Sequence, residues 1–165
     1  MGIGVGDKLP EAKFTVMGDE GPAPKTTAEV FGGRKVALFA VPGAFTPTCH
    51  KQHMPGFLGK LDELASKGVD AVVCTSVNDI FVLTSWAEAT GATGKVEMIA
   101  DGNAEFAKAT GLDIDLSDFG LNTRSKRYSM LVDDGVVKVL NIDEAPPVHD
   151  KSSAETLCSM VGDSI

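Results

Sequence analysis

Two stretches of the chain constrain its fold more than anything else. Lys35-Val36-Ala37-Leu38-Phe39-Ala40-Val41 and Asp70-Ala71-Val72-Val73-Cys74-Thr75-Ser76-Val77 are nearly continuous apolar runs. Neither alternates apolar with polar residues, so each reads as a strand covered on both faces. A sheet buried on both sides needs helices above and below it. Pro42-Gly43 ends the first run, and a helix is expected from about Pro47, because proline suits a first turn where its missing N–H would have no partner. Pro55-Gly56 should kink or break that helix. Beyond the break Phe57, Leu61, Leu64 and Ala65 recur at helical spacing as far as Lys67-Gly68. Further helices are expected over residues 80–90, 104–110 and 153–161. The last is opened by Ser152 and Glu155 in an S-x-x-E capping pattern. A short strand is expected over 96–100. Residues 128–132 and 136–140 read as strands around the tight turn Asp133-Asp134-Gly135. Residues 18–28 carry Gly and Pro with few large apolar side chains and read as a loop in an N-terminal hairpin region. Early alternation of strand and helix followed by a late hairpin predicts an α/β class, with a central mixed β-sheet flanked by helices.

The 165 residues fit one domain spanning the whole chain. A chain of this size buries about two-thirds of its surface and needs neither disulfides nor a structural metal for stability. With 23 acidic against 15 basic residues the net charge is −8, which disfavours nucleic acid and anionic membranes as partners. No apolar run reaches the ~18 residues of a membrane span, and Met1-Gly2-Ile3-Gly4-Val5-Gly6 lacks the features of a signal peptide. Cys49, Cys74 and Cys158 are odd in number and widely spaced, with no CxxC and no zinc-type spacing. That pattern predicts a reducing compartment, in the simplest case the cytoplasm.

Between Val30 and Leu61 this acidic chain has no Asp or Glu at all, while Arg34, Lys35, Lys51, Lys60, His50 and His53 fall there. Cys49 lies inside this basic window and in the first turn of an expected helix. Unpaired N–H groups and the helix dipole favour an anion in such a turn, and a cysteine so placed is a candidate nucleophile as its thiolate. Cys74 sits inside an apolar run and Cys158 shares a helical face with Ala154, Leu157 and Val161; both read first as core residues. His149, after Pro146-Pro147, reads as a solvated loop residue in an insertion-like stretch, 145–150.

The segment Pro42-Gly43-Ala44-Phe45-Thr46-Pro47-Thr48-Cys49-His50-Lys51-Gln52-His53-Met54-Pro55-Gly56 resembles the active-site signature of the peroxiredoxins, specifically the type II or peroxiredoxin-five-like group. Val77-Asn78-Asp79, Ala100-Asp101-Gly102 and Arg124-Ser125-Lys126-Arg127-Tyr128-Ser129 follow in the family's order. The resemblance implies a thioredoxin-like fold and thiol-dependent reduction of hydrogen peroxide and organic hydroperoxides, with no metal, haem or flavin cofactor. By the same resemblance Cys49 is the peroxidatic cysteine and Thr46 holds thiolate and peroxide through its hydroxyl. Pro42 shields the sulfur, and Arg127 is the active-site arginine. The choice of Arg127 over Arg124 rests on alignment with the family's K-R-Y-S pattern. Type II members commonly form homodimers, so a homodimer is implied too.

Thr46 stands where a thioredoxin-type CxxC would have its first cysteine. Cys49 therefore has no neighbouring thiol and should stop at sulfenic acid. Cys74, 25 residues later, resembles the second cysteine of plant-like type II members; Cys158, near the C-terminus, resembles the resolving cysteine of animal members. A one-cysteine cycle is the favoured expectation, with glutathione and glutaredoxin, or thioredoxin, restoring Cys49. The competing readings are a disulfide reductase, which the missing CxxC opposes, a redox sensor or chaperone switched by Cys49 oxidation, and a cysteine hydrolase using His53 as base.

Overall fold

A computed structural model describes residues 2–143 and 149–161. In chain order the elements are β1 (Lys13–Gly18), β2 (Gly21–Thr26), α1 (Thr27–Phe31), β3 (Lys35–Ala40), α2 (Met54–Leu58), α3 (Leu61–Ser66), β4 (Ala71–Ser76), α4 (Ile80–Thr90), β5 (Glu97–Ala100), α5 (Glu105–Thr110), β6 (Asp113–Asp115), β7 (Thr123–Ser125), β8 (Arg127–Asp133), β9 (Val136–Asp143) and α6 (Ala154–Val161). Seven strands make one sheet in the order β2-β1-β5-β4-β3-β8-β9, and β6 with β7 makes a separate ribbon. β4 runs parallel to both β3 and β5, while β8 is antiparallel to β3 and β9. This is the mixed sheet of the thioredoxin-like fold.

The two apolar runs are the centre of that sheet, and their residues divide between two cores. Ala37 and Phe39 of β3 with Val72 and Cys74 of β4 face one way, against Phe57, Leu64, Trp86 and Leu157. Val36, Leu38 and Ala40 of β3 with Val73 of β4 face the other, against Phe14, Phe31 and Phe106. Both faces are filled because neither run offers water a polar side. The β8–β9 turn falls on Asp134 (φ 47°) and Gly135 (φ 80°), two left-handed residues in succession as the two-residue hairpin requires.

Several local expectations are corrected. Residues 21–26, expected as loop, form β2, which lies at the edge of the sheet. Pro22 and Pro24 are tolerated there because an edge strand needs its N–H groups on one side only. Pro55 does not break the helix, which is continuous from residue 47 to 58. The turn Cys49–His53 widens into a π-helix in which the Met54 N–H donates to the Cys49 carbonyl, so the residue register shifts and Pro55 sits where its lack of a donor matters little. The break comes at Gly59-Lys60, and Ala65 is exposed rather than packed. Ser152 does not cap α6. Ser153 does, accepting from the Thr156 N–H at 3.2 Å, while the Ser152 hydroxyl donates to Asp143 at 2.6 Å. Of the insertion-like stretch 145–150, residues 145–148 lie outside the described residues.

Candidate active site

The site forms where β3 and β4 end side by side. After Val41 the chain turns through residues 42–46, pinned from β4's end: the Ala44 N–H donates to Asn78 Oδ1 at 3.0 Å, and the Ser76 hydroxyl donates to the same oxygen at 2.6 Å. Thr46 Oγ1 donates to the Gly43 carbonyl at 2.6 Å. A side chain at Gly43 would meet Thr46 Cγ2 at 3.0 Å and Arg124 Nη1 at 3.2 Å, so the turn closes tightly and any larger residue there must push those side chains aside. The helix then starts at Pro47, and Cys49 lies fully buried in its first turns.

Arg127 reaches Cys49 through sheet register. β8 pairs antiparallel with β3, Ala40 opposite Tyr128, so the next residue back along β8 stands beyond the end of β3. Arg127 is 1% exposed, and its Nη2 donates to Cys49 Sγ at 3.0 Å. Nη1 lies 3.0 Å from His53 Nδ1, and His53 Nε2 lies 2.9 Å from the Ser152 carbonyl. The partners fix the tautomer. A guanidinium can only donate and a carbonyl can only accept, so His53 is neutral with its proton on Nε2. Burial and the adjacent Arg127 charge push its pKa well down, in agreement. His53 therefore does not stand as a base on Cys49; the guanidinium bonds both residues. Phe39 and Phe57, stacked on each other at 4.2 Å, flank the imidazole. His149, expected in solvent, is half-buried with its ring centroid 5.0 Å from that of His53.

A cavity of about 380 Å³ opens beside this group, lined by Pro42, Thr46, Leu116, Phe119, Leu121 and Arg127 among others. Its apolar wall comes from Leu116, Phe119 and Leu121, in the segment between β6 and β7, which no motif had marked for the site. Arg124 does not bond the sulfur. Its Nε donates to the Leu121 carbonyl at 2.9 Å and its Nη1 reaches the Pro42 carbonyl at 3.4 Å, tying the cavity wall to the turn. The positive charge beside Cys49 comes from β8, not from the basic window around it: Lys51 is exposed, Lys60 pairs with Glu63, and His50 accepts from Trp86 Nε1 at 3.0 Å.

Cys74 is fully buried in β4, cross-strand from Phe39. Burial pushes its thiol pKa well up, and charge on Cys49 adds to this. Cys158 is buried on α6. Burial and a hydrogen bond to Glu63 raise its pKa to about 11. All three cysteines are free. Asp143 and Ser152, in contact with each other and through His53 with Arg127, had no signal in the sequence that marked them for the site.

The Redoxin family model matches residues 4–158. The chain is 50% identical over 160 residues to peroxiredoxin-2E-2, chloroplastic, of Oryza sativa subsp. japonica, covering 94% of this chain and 71% of that protein. It is 45% identical over 159 residues to peroxiredoxin-2E, chloroplastic, of Arabidopsis thaliana, covering 94% and 68%. The crystal structure of reduced Prx3 in complex with H2O2 from Vibrio vulnificus superposes with a TM-score of 0.91 at 45% identity, covering 96% of this chain and 99% of that one.

Proposed function

The chain belongs to the type II peroxiredoxins and is a thiol-dependent peroxidase, and on that premise we propose that Cys49 is the residue that attacks the peroxide. The observation that carries this reading is the 3.0 Å contact of Arg127 Nη2 with Cys49 Sγ beside an apolar cavity. The guanidinium holds the sulfur at the edge of the cavity, where a peroxide entering it would meet both groups at once. The sulfur attacks one peroxide oxygen, the S–O bond forms and the O–O bond breaks. The leaving oxygen takes up the proton the thiol gave up, so that thiol and hydroperoxide become sulfenic acid and alcohol or water. Arg127 donates to the charge that develops on the leaving oxygen. Thr46 has its own proton committed to the Gly43 carbonyl, so its oxygen is left to accept the peroxide's O–H. Pro42, on the cavity wall, offers no N–H and keeps water from the sulfur.

The cycle is completed by a thiol reductant. We favour an external one, glutathione with glutaredoxin or thioredoxin itself, acting on the Cys49 sulfenic acid to give a mixed disulfide and water, which a second thiol then reduces. The burial and raised thiol pKa values of Cys74 and Cys158 support this over an internal resolving cysteine. A homodimer through the active-site end is supported by exposed Phe45, Phe81 and Phe119, which lie on the loop after β3, the start of the helix after β4 and the cavity wall. Three free cysteines fit a reducing compartment, of which the cytoplasm is proposed as the simplest case; two of the relatives named above are chloroplastic.

The test is stopped-flow consumption of hydrogen peroxide by reduced wild type and Cys49→Ser, followed by mass-spectrometric thiol counting after one equivalent. Fast consumption that vanishes in Cys49→Ser, with only Cys49 modified, is expected. Loss of a second thiol at Cys74 or Cys158 would replace the external reductant by an internal one.

A further inference from the structure

We propose that Asp143 and Ser152 anchor a hydrogen-bond chain that runs through His53 and aims the Arg127 guanidinium at Cys49, which makes all three positioning residues for peroxide reduction. The inference rests on the reading that Cys49 attacks and Arg127 assists.

Each link has a fixed direction. Arg127 Nη2 donates to Cys49 Sγ and Nη1 donates to His53 Nδ1, both at 3.0 Å. His53 Nε2 donates to the Ser152 carbonyl at 2.9 Å. That carbonyl is itself held, because the Ser152 N–H and hydroxyl both donate to Asp143 Oδ2, at 3.0 and 2.6 Å. The N–H groups of Asp150 and Lys151 add two more bonds to the same carboxylate, each 3.0 Å. Burial pushes the Asp143 pKa up, but these donors from Ser152, Asp150 and Lys151 outweigh it and hold the pKa below the usual carboxylate range. Asp143 also stands directly across the β8–β9 ladder from Arg127. The chain therefore closes on itself: from Arg127 across the ladder to Asp143, out to Ser152, and back through His53 to Arg127.

This arrangement suits one purpose. A flexible arginine side chain loses aim unless both ends of its planar fork are fixed. Here one nitrogen faces the sulfur and the other is set by a neutral imidazole that cannot turn without breaking its bond to Ser152. The charged or titratable groups facing that imidazole are Arg127, His149 and, through Ser152, Asp143; Phe39 and Phe57 close its other sides. Ser152 is not needed to start α6, since Ser153 caps it. Its hydroxyl is free to serve Asp143 instead.

The experiment measures the second-order rate of Cys49 oxidation by hydrogen peroxide, and the melting temperature, in wild type, Asp143→Asn and His53→Leu. Both substitutions are repeated in an Arg127→Gln background. Asp143→Asn and His53→Leu should each slow oxidation about tenfold, the size of one lost hydrogen bond to a charged group. Neither should add a further loss once Arg127 is gone, because nothing remains to be aimed. A merely structural role would lower the melting temperature without that coupling. Wild-type rates in both variants, or losses that multiply with that of Arg127→Gln, overturn the proposal. The two substitutions lie on different elements, so failure of one variant to fold leaves the other to decide. If Arg127→Gln itself oxidises at the wild-type rate, the underlying reading of the site fails, a result distinct from the failure of the positioning chain alone.

Discussion

The hairpin turn at Asp133-Asp134-Gly135 and the loop of residues 42–46 both leave the end of a buried strand, and both use left-handed backbone. In the hairpin that backbone falls on Asp134 and Gly135, residue types that adopt it at little cost. In the loop it falls on Phe45, at φ 65°, where a bulky side chain costs about 1–2 kcal/mol. The hairpin is closed by its own ladder, with Asp133 paired to Val136. The loop is held from outside, by Asn78, 34 residues on, and by Arg124, 82 residues on. One turn is specified by two adjacent residues, while the other is a strained conformation kept in place by distant partners, which is what the roles proposed for Thr46 and Cys49 require of it.

The largest effect should come from removing the outside support. Asn78→Ala leaves the buried Ala44 N–H and Ser76 hydroxyl without their acceptor, at a cost of about 1–3 kcal/mol in denaturant unfolding. Peroxide oxidation of Cys49 should slow as well. A variant of wild-type stability and rate would mean that the loop holds itself, and the contrast with the hairpin would be lost.

The same contrast explains what the sequence revealed. The centre of the sheet, α4 and the β8–β9 hairpin were legible because their signals are local: apolar runs, helical spacing, an Asp-Gly turn. Cys49 was legible as a candidate from its place in a first turn and a basic window, and Pro42 and Thr46 entered with it through the resemblance of one contiguous motif. Arg127 needed the family resemblance, because only β3–β8 pairing brings it 78 residues back to Cys49. Asp143 and Ser152 were not legible at all. Asp143 ends a strand like any polar residue, and Ser152 offered a capping pattern that its neighbour Ser153 fulfils. The prolines misled for a related reason: Pro22 and Pro24 depend on β2 being an edge, and Pro55 on a widened turn, and neither context is written nearby.

A smaller effect, on function more than on stability, is expected from Gly43→Ala. Gly43 has ordinary backbone angles, so alanine brings no strain of its own; its methyl meets Thr46 Cγ2 and Arg124 Nη1 instead. The loop must give by a few tenths of an ångström, moving Thr46 relative to Cys49. Such a displacement should slow Cys49 oxidation about tenfold and leave the unfolding midpoint near wild type. An unchanged rate would show that Thr46 tolerates displacement and that the tight turn serves folding alone.

Gly135→Ala is the converse, and the smallest effect. No atom lies within 4 Å of where its methyl would stand, but φ is +80°, so the cost is backbone strain with no clash. Unfolding should show a loss of about 1 kcal/mol and stopped flow no change in Cys49 oxidation. The outcome that breaks the comparison is a slowed reaction. β8 runs directly from this turn to Arg127, seven residues of strand with no interruption. Strain at the hairpin could reach the guanidinium only by shifting the register of β8 against β3. The six β3–β8 pairs, from Lys35–Asp133 to Ala40–Tyr128, oppose that shift, because a slip by one residue would turn Leu131 out of one core and Met130 out of the other. Buried pairing on both faces thus insulates the site from its own hairpin, and Gly135→Ala measures how complete that insulation is.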